Sequence, residues 1–134
     1  MKRAAALAAV LLVAGCGVRP SGVIVGGPAP TAAAVISVYF VSGGRVAPVP
    51  RPGSASALAQ LAVGPTTAER EQGYATEVPA GAVLDAAGST VTVSVDVTSL
   101  SANAVDQIVC TTAAGSVTLV GGGQSRGPLA CPVG

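Results

Sequence analysis

From Ala34 to Val41 the side chains fall into two interleaved rows, Ile36, Val38 and Phe40 on one and Val35, Ser37, Tyr39 and Val41 on the other. That period of two predicts a β-strand, here apolar on both faces. Ser42-Gly43-Gly44 supplies positive-φ residues for a tight turn, so Arg45 to Val49 is expected to return antiparallel, with Pro48 and Pro50 marking a short or edge strand. Pro52-Gly53 stops it. Leu58, Leu61 and Ala62 then recur at helical spacing, which predicts a short helix from a Ser54 cap to Val63, ended by Gly64-Pro65. Thr66 with Glu69 three residues on is a capping box for a second helical turn, through about Gln72, closed by Gly73. A strand is expected over Ala82 to Asp85, followed by a turn at Gly88. Val91, Val93, Val95 and Val97 then alternate strictly with Thr92, Ser94 and Asp96 as the cleanest strand in the chain. Ser99 to Ala113 carries Leu100, Ala104, Val105, Ile108 and Val109 on one helical stripe, with Ser99 or Ser101 as cap and Gly115 as stop. Ser116 to Val120 is the last expected strand, before Gly121-Gly122-Gly123. The order β-β-α-α-β-β-α-β predicts an α+β fold, a small, mostly antiparallel sheet with two or three helices packed on one face.

The N-terminus reads as an address. Met1-Lys2-Arg3 is a short basic stretch, Ala4 to Ala14 is an apolar run of about eleven residues, too short to cross a bilayer, and small residues precede Cys16. This predicts a signal peptide over residues 1–15. Val13-Ala14-Gly15-Cys16 resembles the lipobox of bacterial lipoproteins, and the resemblance implies that Cys16 is lipidated and becomes the first residue of the mature chain. Residues 16–32 are rich in Gly, Pro and small side chains and lack periodicity, as a lipidated tether would; within them Val23-Ile24-Val25 offers an alternative edge strand. The folded domain is expected over residues 33–134.

Composition narrows the chemistry. The 134 residues contain no His, and Lys2 is the sole lysine, so no Ser-His or Cys-His pair, imidazole metal ligand or Schiff-base lysine is available to the mature domain. Removal of the leader leaves Arg19, Arg45, Arg51, Arg70 and Arg126, dispersed and not interleaved with aromatics; nucleic acid is therefore not an expected partner. Glu69, Glu71 and Glu77 lie close enough in sequence for a glycosidase-like pair, but the aromatics are Tyr39, Phe40 and Tyr74 alone, and helix-cap charge explains the carboxylates more simply. Gly121 to Gly127 lacks the lysine and following helix of a phosphate loop, and Asp85, Asp96 and Asp106 do not have calcium-loop spacing. No catalytic residue, metal site or cofactor is predicted. Of the three cysteines, one is assigned to lipid, which leaves Cys110 and Cys131 as an expected disulfide closing a loop of about 20 residues and contributing roughly 3 kcal/mol.

The stretch Leu58 to Gly81 resembles the GerMN (sporulation and spore germination) domain of actinobacterial-type lipoproteins. Leu58, Leu61, Gly64, Pro65, Thr66, Glu69, Gly73, Thr76, Val78, Pro79 and Gly81 occupy the places of that family's L-x-x-L-x-x-G-P-T, E-x-x-x-G and T-x-hydrophobic-P-x-G pattern. The likeness extends over about Ala34 to Val120, and the cysteine pair is not a general feature of the family. It implies a module similar to ring-building folds of the cell envelope, non-catalytic and engaged in protein contacts outside the membrane.

The expectation is therefore a lipoprotein on the extracytoplasmic face of the cell membrane, held by its lipid anchor and partnered with an unidentified envelope protein. The expected partner surface is Val35, Tyr39 and Val41 with Arg45 at the rim, because a sheet covered on one side leaves that face in need of cover. The tether through Val23 to Val25 is the equal alternative for that cover. A small-solute or glycan-binding lipoprotein serving a transporter is the competing function.

Overall fold

The structure, a computed structural model, describes residues 33–133 together with Gly17, Gly26 and Gly27. The chain divides into two units, and the architecture below is that of the second, Ala32–Gly134. The expected signal peptide, Cys16 and Val23-Ile24-Val25 lie outside the described residues.

The fold is α+β, with its strands in two sheets. Strands β1 (Val35–Ser42) and β2 (Arg45–Pro52) form an antiparallel hairpin closed by Gly43 and Gly44, both at positive φ (60° and 78°), the geometry that matches the twist of the flanking strands. Strands β3 (Leu84–Ala87), β4 (Thr90–Val93), β5 (Val117–Gly121) and β6 (Gln124–Leu129) make the second sheet in that order. Its pairs are antiparallel except β4–β5, which is parallel and is connected through a long helix. Helices α1 (Ala57–Val63) and α2 (Thr67–Glu71) follow the hairpin, and α3 (Ala102–Thr112) joins the parallel strands. Val38, Phe40, Leu61, Val91, Ile108, Val117 and Leu119, all fully buried, form one core shared by the hairpin, α1, α3 and the larger sheet. Each such side chain contributes on the order of 1.5–3 kcal/mol.

Several expectations shift. Ser56, not Ser54, caps α1, accepting from the Ala59 amide, because Gly53 to Ala55 are spent turning the chain out of β2. The second strand runs on through Pro52, and β3 starts two residues later than expected. The valine run breaks in half: β4 ends at Val93, and Asp96 caps a 3-10 turn at Val97–Ser99 through bonds from the amide and hydroxyl of Thr98. Gly121 explains the break. A Cβ there would collide with the carbonyl oxygens of Val93 and Val95, so the chain after β4 passes directly over β5. Ser101 caps α3, and Ala113 (φ 57°) rather than Gly115 takes the left-handed position at its end. Strand β6 was not expected: nearly all of it is exposed, so it carries no apolar alternation.

Candidate functional site

Antiparallel pairing decides which backbone groups of the hairpin face outward. The Gly53 amide donates to Ala34 O at 2.7 Å, and the pairs Ile36–Arg51, Val38–Val49, Phe40–Ala47 and Ser42–Arg45 follow in the same phase. The amides and carbonyls of Val35, Ser37, Tyr39 and Val41 therefore point away from β2, along the free edge of β1. On the opposite margin the outward positions of β2 are Val46, Pro48, Pro50 and Pro52, and three prolines leave that edge the Val46 amide as its one donor.

The β1 edge is closed over half its length. Val41 exchanges two 2.8 Å bonds with Ala75. At Tyr39 the closure comes from side chains of α3: the Tyr39 amide donates to Thr111 Oγ1 (3.0 Å), and Gln107 Nε2 donates to Tyr39 O (3.1 Å). Gln107 also donates to Thr76 Oγ1 (3.1 Å) and accepts from the Glu77 amide (2.8 Å), so one buried amide ties the strand, the loop before β3 and the helix together. Sequence reasoning missed both residues. Their signal was present as polar side chains four apart on the helix, bordering the apolar stripe.

Beyond Tyr39 the edge opens. Val35 is 70% exposed and Ser37 is exposed, and among the described residues the outward main-chain groups of neither have a partner. They border an open hollow of about 640 Å³ between the start of β1 and the C-terminal end of α3, whose other walls include Thr111, Ala114, Cys131 and Val133. The lining holds no charged side chain. The Cys110–Cys131 disulfide is formed, with Cα atoms 4.7 Å apart, and holds residues 131–133 against this side of the domain.

Of the expected surface, Val35 and Tyr39 meet at this hollow. Val41 and Arg45 do not: Val41 is half-buried against Ala75, and Arg45 lines a separate hollow with Asn103, Asp106 and Pro132. Part of the cover that this face needs comes from the anchored tail, since Val46, on the same face as Val41, is buried and shares that second hollow with Pro132 and Val133.

Glu69, Glu77 and Asp96 are committed elsewhere. Glu69 pairs with Arg51, whose Nε donates to Oε1 at 3.1 Å, and accepts from the Thr66 amide at 2.8 Å as the predicted capping box. The Arg51 hydrogen bond holds the Glu69 carboxyl below the usual range, against an opposing effect of burial. Arg51 also donates to the carbonyls of Gln60 and Gly64 and sits 4.9 Å from the Phe40 ring centroid, which joins hairpin, α1 and α2. Glu77 accepts from Ser101 Oγ (2.8 Å) and Asn103 Nδ2 (2.6 Å) at the start of α3. Hydrogen bonds from Thr98 lower Asp96, and burial raises Asp106, partly offset by Arg126. Among the described residues no cluster of three His, Cys, Asp or Glu could hold a metal ion, and no helix is long and apolar enough to cross a membrane. The chain matches no protein-family model, and neither a curated protein nor a solved structure gives a significant match.

Proposed function

We propose that this protein is a lipid-anchored, extracytoplasmic module of the cell envelope that works through protein contact and carries no catalysis. The observation that carries the reading is Val35, largely exposed beside half-buried Tyr39 on an uncharged hollow, while Glu69 and Glu77 are spent on a helix cap and a clamp. The lipobox-like stretch ending in Cys16 and the resemblance of Leu58 to Gly81 to the GerMN domain support the setting. Capture of a small solute or glycan is less well supported, because the hollow is open and its lining carries no charged side chain to fix a ligand.

The test is co-purification of the full-length chain from detergent-solubilised membranes of cells that produce it. The reading predicts a discrete partner in stoichiometric yield, lost with Tyr39→Asp while the thermal midpoint of the variant stays near that of the parent. Cys16→Ser is expected to move the protein out of the membrane fraction. Absence of any stoichiometric partner, with a thermal shift on addition of an envelope glycan fragment, would replace this reading with ligand capture.

A further inference from the structure

We infer that the open half of the β1 edge is a strand-addition site, at which an extended, uncharged, apolar segment of a partner protein pairs with Val35 and Ser37. The inference rests on the interaction reading above and specifies its mode and the chemistry of the partner.

Every other stretch of the hairpin's two margins is blocked by a particular device. Prolines occupy three of the four outward positions of β2, Ala75 pairs with Val41, and Gln107 with Thr111 saturates Tyr39. Val46 has no main-chain partner either but is buried beside Pro132 and Val133, so Val35 and Ser37 are the exposed positions that keep both an outward amide and an outward carbonyl without a partner among the described residues. Successive unpaired main-chain groups along a strand are matched together by another extended chain, which supplies donors and acceptors at the same repeat. The hollow beside them, with Tyr39 and the disulfide among its walls, gives such a chain a place for alternate side chains. Its lining has no charge, so a charged residue entering it would lose hydration without gaining a counter-ion; the occupant is therefore uncharged.

A second short edge exists at β3, where Leu84 and Ala86 face outward by the same phase rule, since the Ser94 amide donates to Val83 O at 3.0 Å. That strand spans four residues and carries Asp85 beside its own hollow, which disfavours an apolar strand there.

Phage-displayed random decapeptides are selected on the detergent-solubilised full-length protein, and the selected peptides are then synthesised. The expected peptides are uncharged, rich in Val, Ile or Thr, and weakened about tenfold or more by Ser37→Pro, the equivalent of one lost main-chain hydrogen bond. Ser37→Val, which keeps the amide, is expected to retain binding. Proline at position 37 leaves the hairpin's own bonds intact, because that amide faces away from β2 just as those of Pro48 and Pro50 would. Should Ser37→Pro fail to fold, N-methylation of the peptide decides: methyl groups on alternate amides must abolish binding in one phase and spare it in the other. Failure to select any peptide, selection of charged peptides, or sensitivity to Ala86→Pro instead of Ser37→Pro would overturn the inference. A dimer that dissociates on Ser37→Pro would overturn the partner assignment by giving the edge to a second copy of this chain, and peptides selected only once Val23, Ile24 and Val25 are all replaced by serine would overturn it by giving the edge to the chain's own tether. Undiminished co-purification of the membrane partner with a folded Ser37→Pro variant would refute strand addition while leaving the interaction reading intact.

Discussion

Gln107 shows how much one side chain carries at the residue scale. It is fully buried, and its amide makes three hydrogen bonds to groups separated from it by 30 to 68 positions in sequence. Gln107→Leu keeps the approximate volume but leaves the Glu77 amide and the Tyr39 carbonyl unsatisfied, so it is expected to cost about 2–3 kcal/mol in chemical denaturation. A cost below about 0.5 kcal/mol would show that the network adds nothing net. Glu69 makes a second prediction. Its carboxyl is held below the usual range mainly by the Arg51 hydrogen bond, so its folded form binds a proton less readily than its unfolded form. The stabilisation is therefore complete above the ordinary glutamate range and is lost as pH falls through the lowered folded value. Unfolding measured between neutral and acidic pH should show a steeper acid loss for the parent than for Glu69→Gln. Equal slopes would contradict the ion pair's role.

Among the elements, those legible in the sequence were the ones whose local chemistry and tertiary environment agree. The hairpin followed from Gly43-Gly44 between alternating residues, α2 from Thr66 and Glu69, and the α3 stripe from Leu100 through Val109. The rest was decided at a distance. Val95 and Val97 continue a perfect alternation, yet they leave the strand because Gly121 brings another backbone beneath them, and nothing local announces that approach. Strand β6 was invisible because an exposed edge strand needs no apolar face. For the candidate site, Tyr39 and Val35 were legible as surplus apolar residues and the disulfide as cysteine arithmetic. The closure of the edge by Gln107 and Thr111 depends on where α3 docks, which the sequence does not display. The end of α3 offers the test at this scale. Ala113 holds φ 57° at the C-cap, a conformation costing an L-residue about 1–2 kcal/mol and glycine little. Ala113→Gly is expected to raise stability by about 0.5–1 kcal/mol, and a loss of stability would show that the left-handed cap is not populated.

At the scale of the whole molecule, the disulfide is what makes the surface. Cys131 follows the last strand, and its bond to Cys110 brings residues 131–133 onto the hollow and over Val46. Replacing both cysteines by serine is expected to cost about 3 kcal/mol, as for a loop of 21 residues, and to free the tail from the hairpin. Prolines and an amide network thus close most of the edges of one hairpin, the tail frames the stretch left open, and the proposed anchor would present that stretch to envelope partners. Photo-crosslinking in intact cells tests this most directly, with a photoreactive residue at Val35 of the full-length chain and, for comparison, at Val83, which is 65% exposed and outside the hollow. The predicted result is one discrete protein adduct from position 35, found in the membrane fraction, and none from position 83. No adduct from position 35, or the same adducts from both positions, would contradict the account.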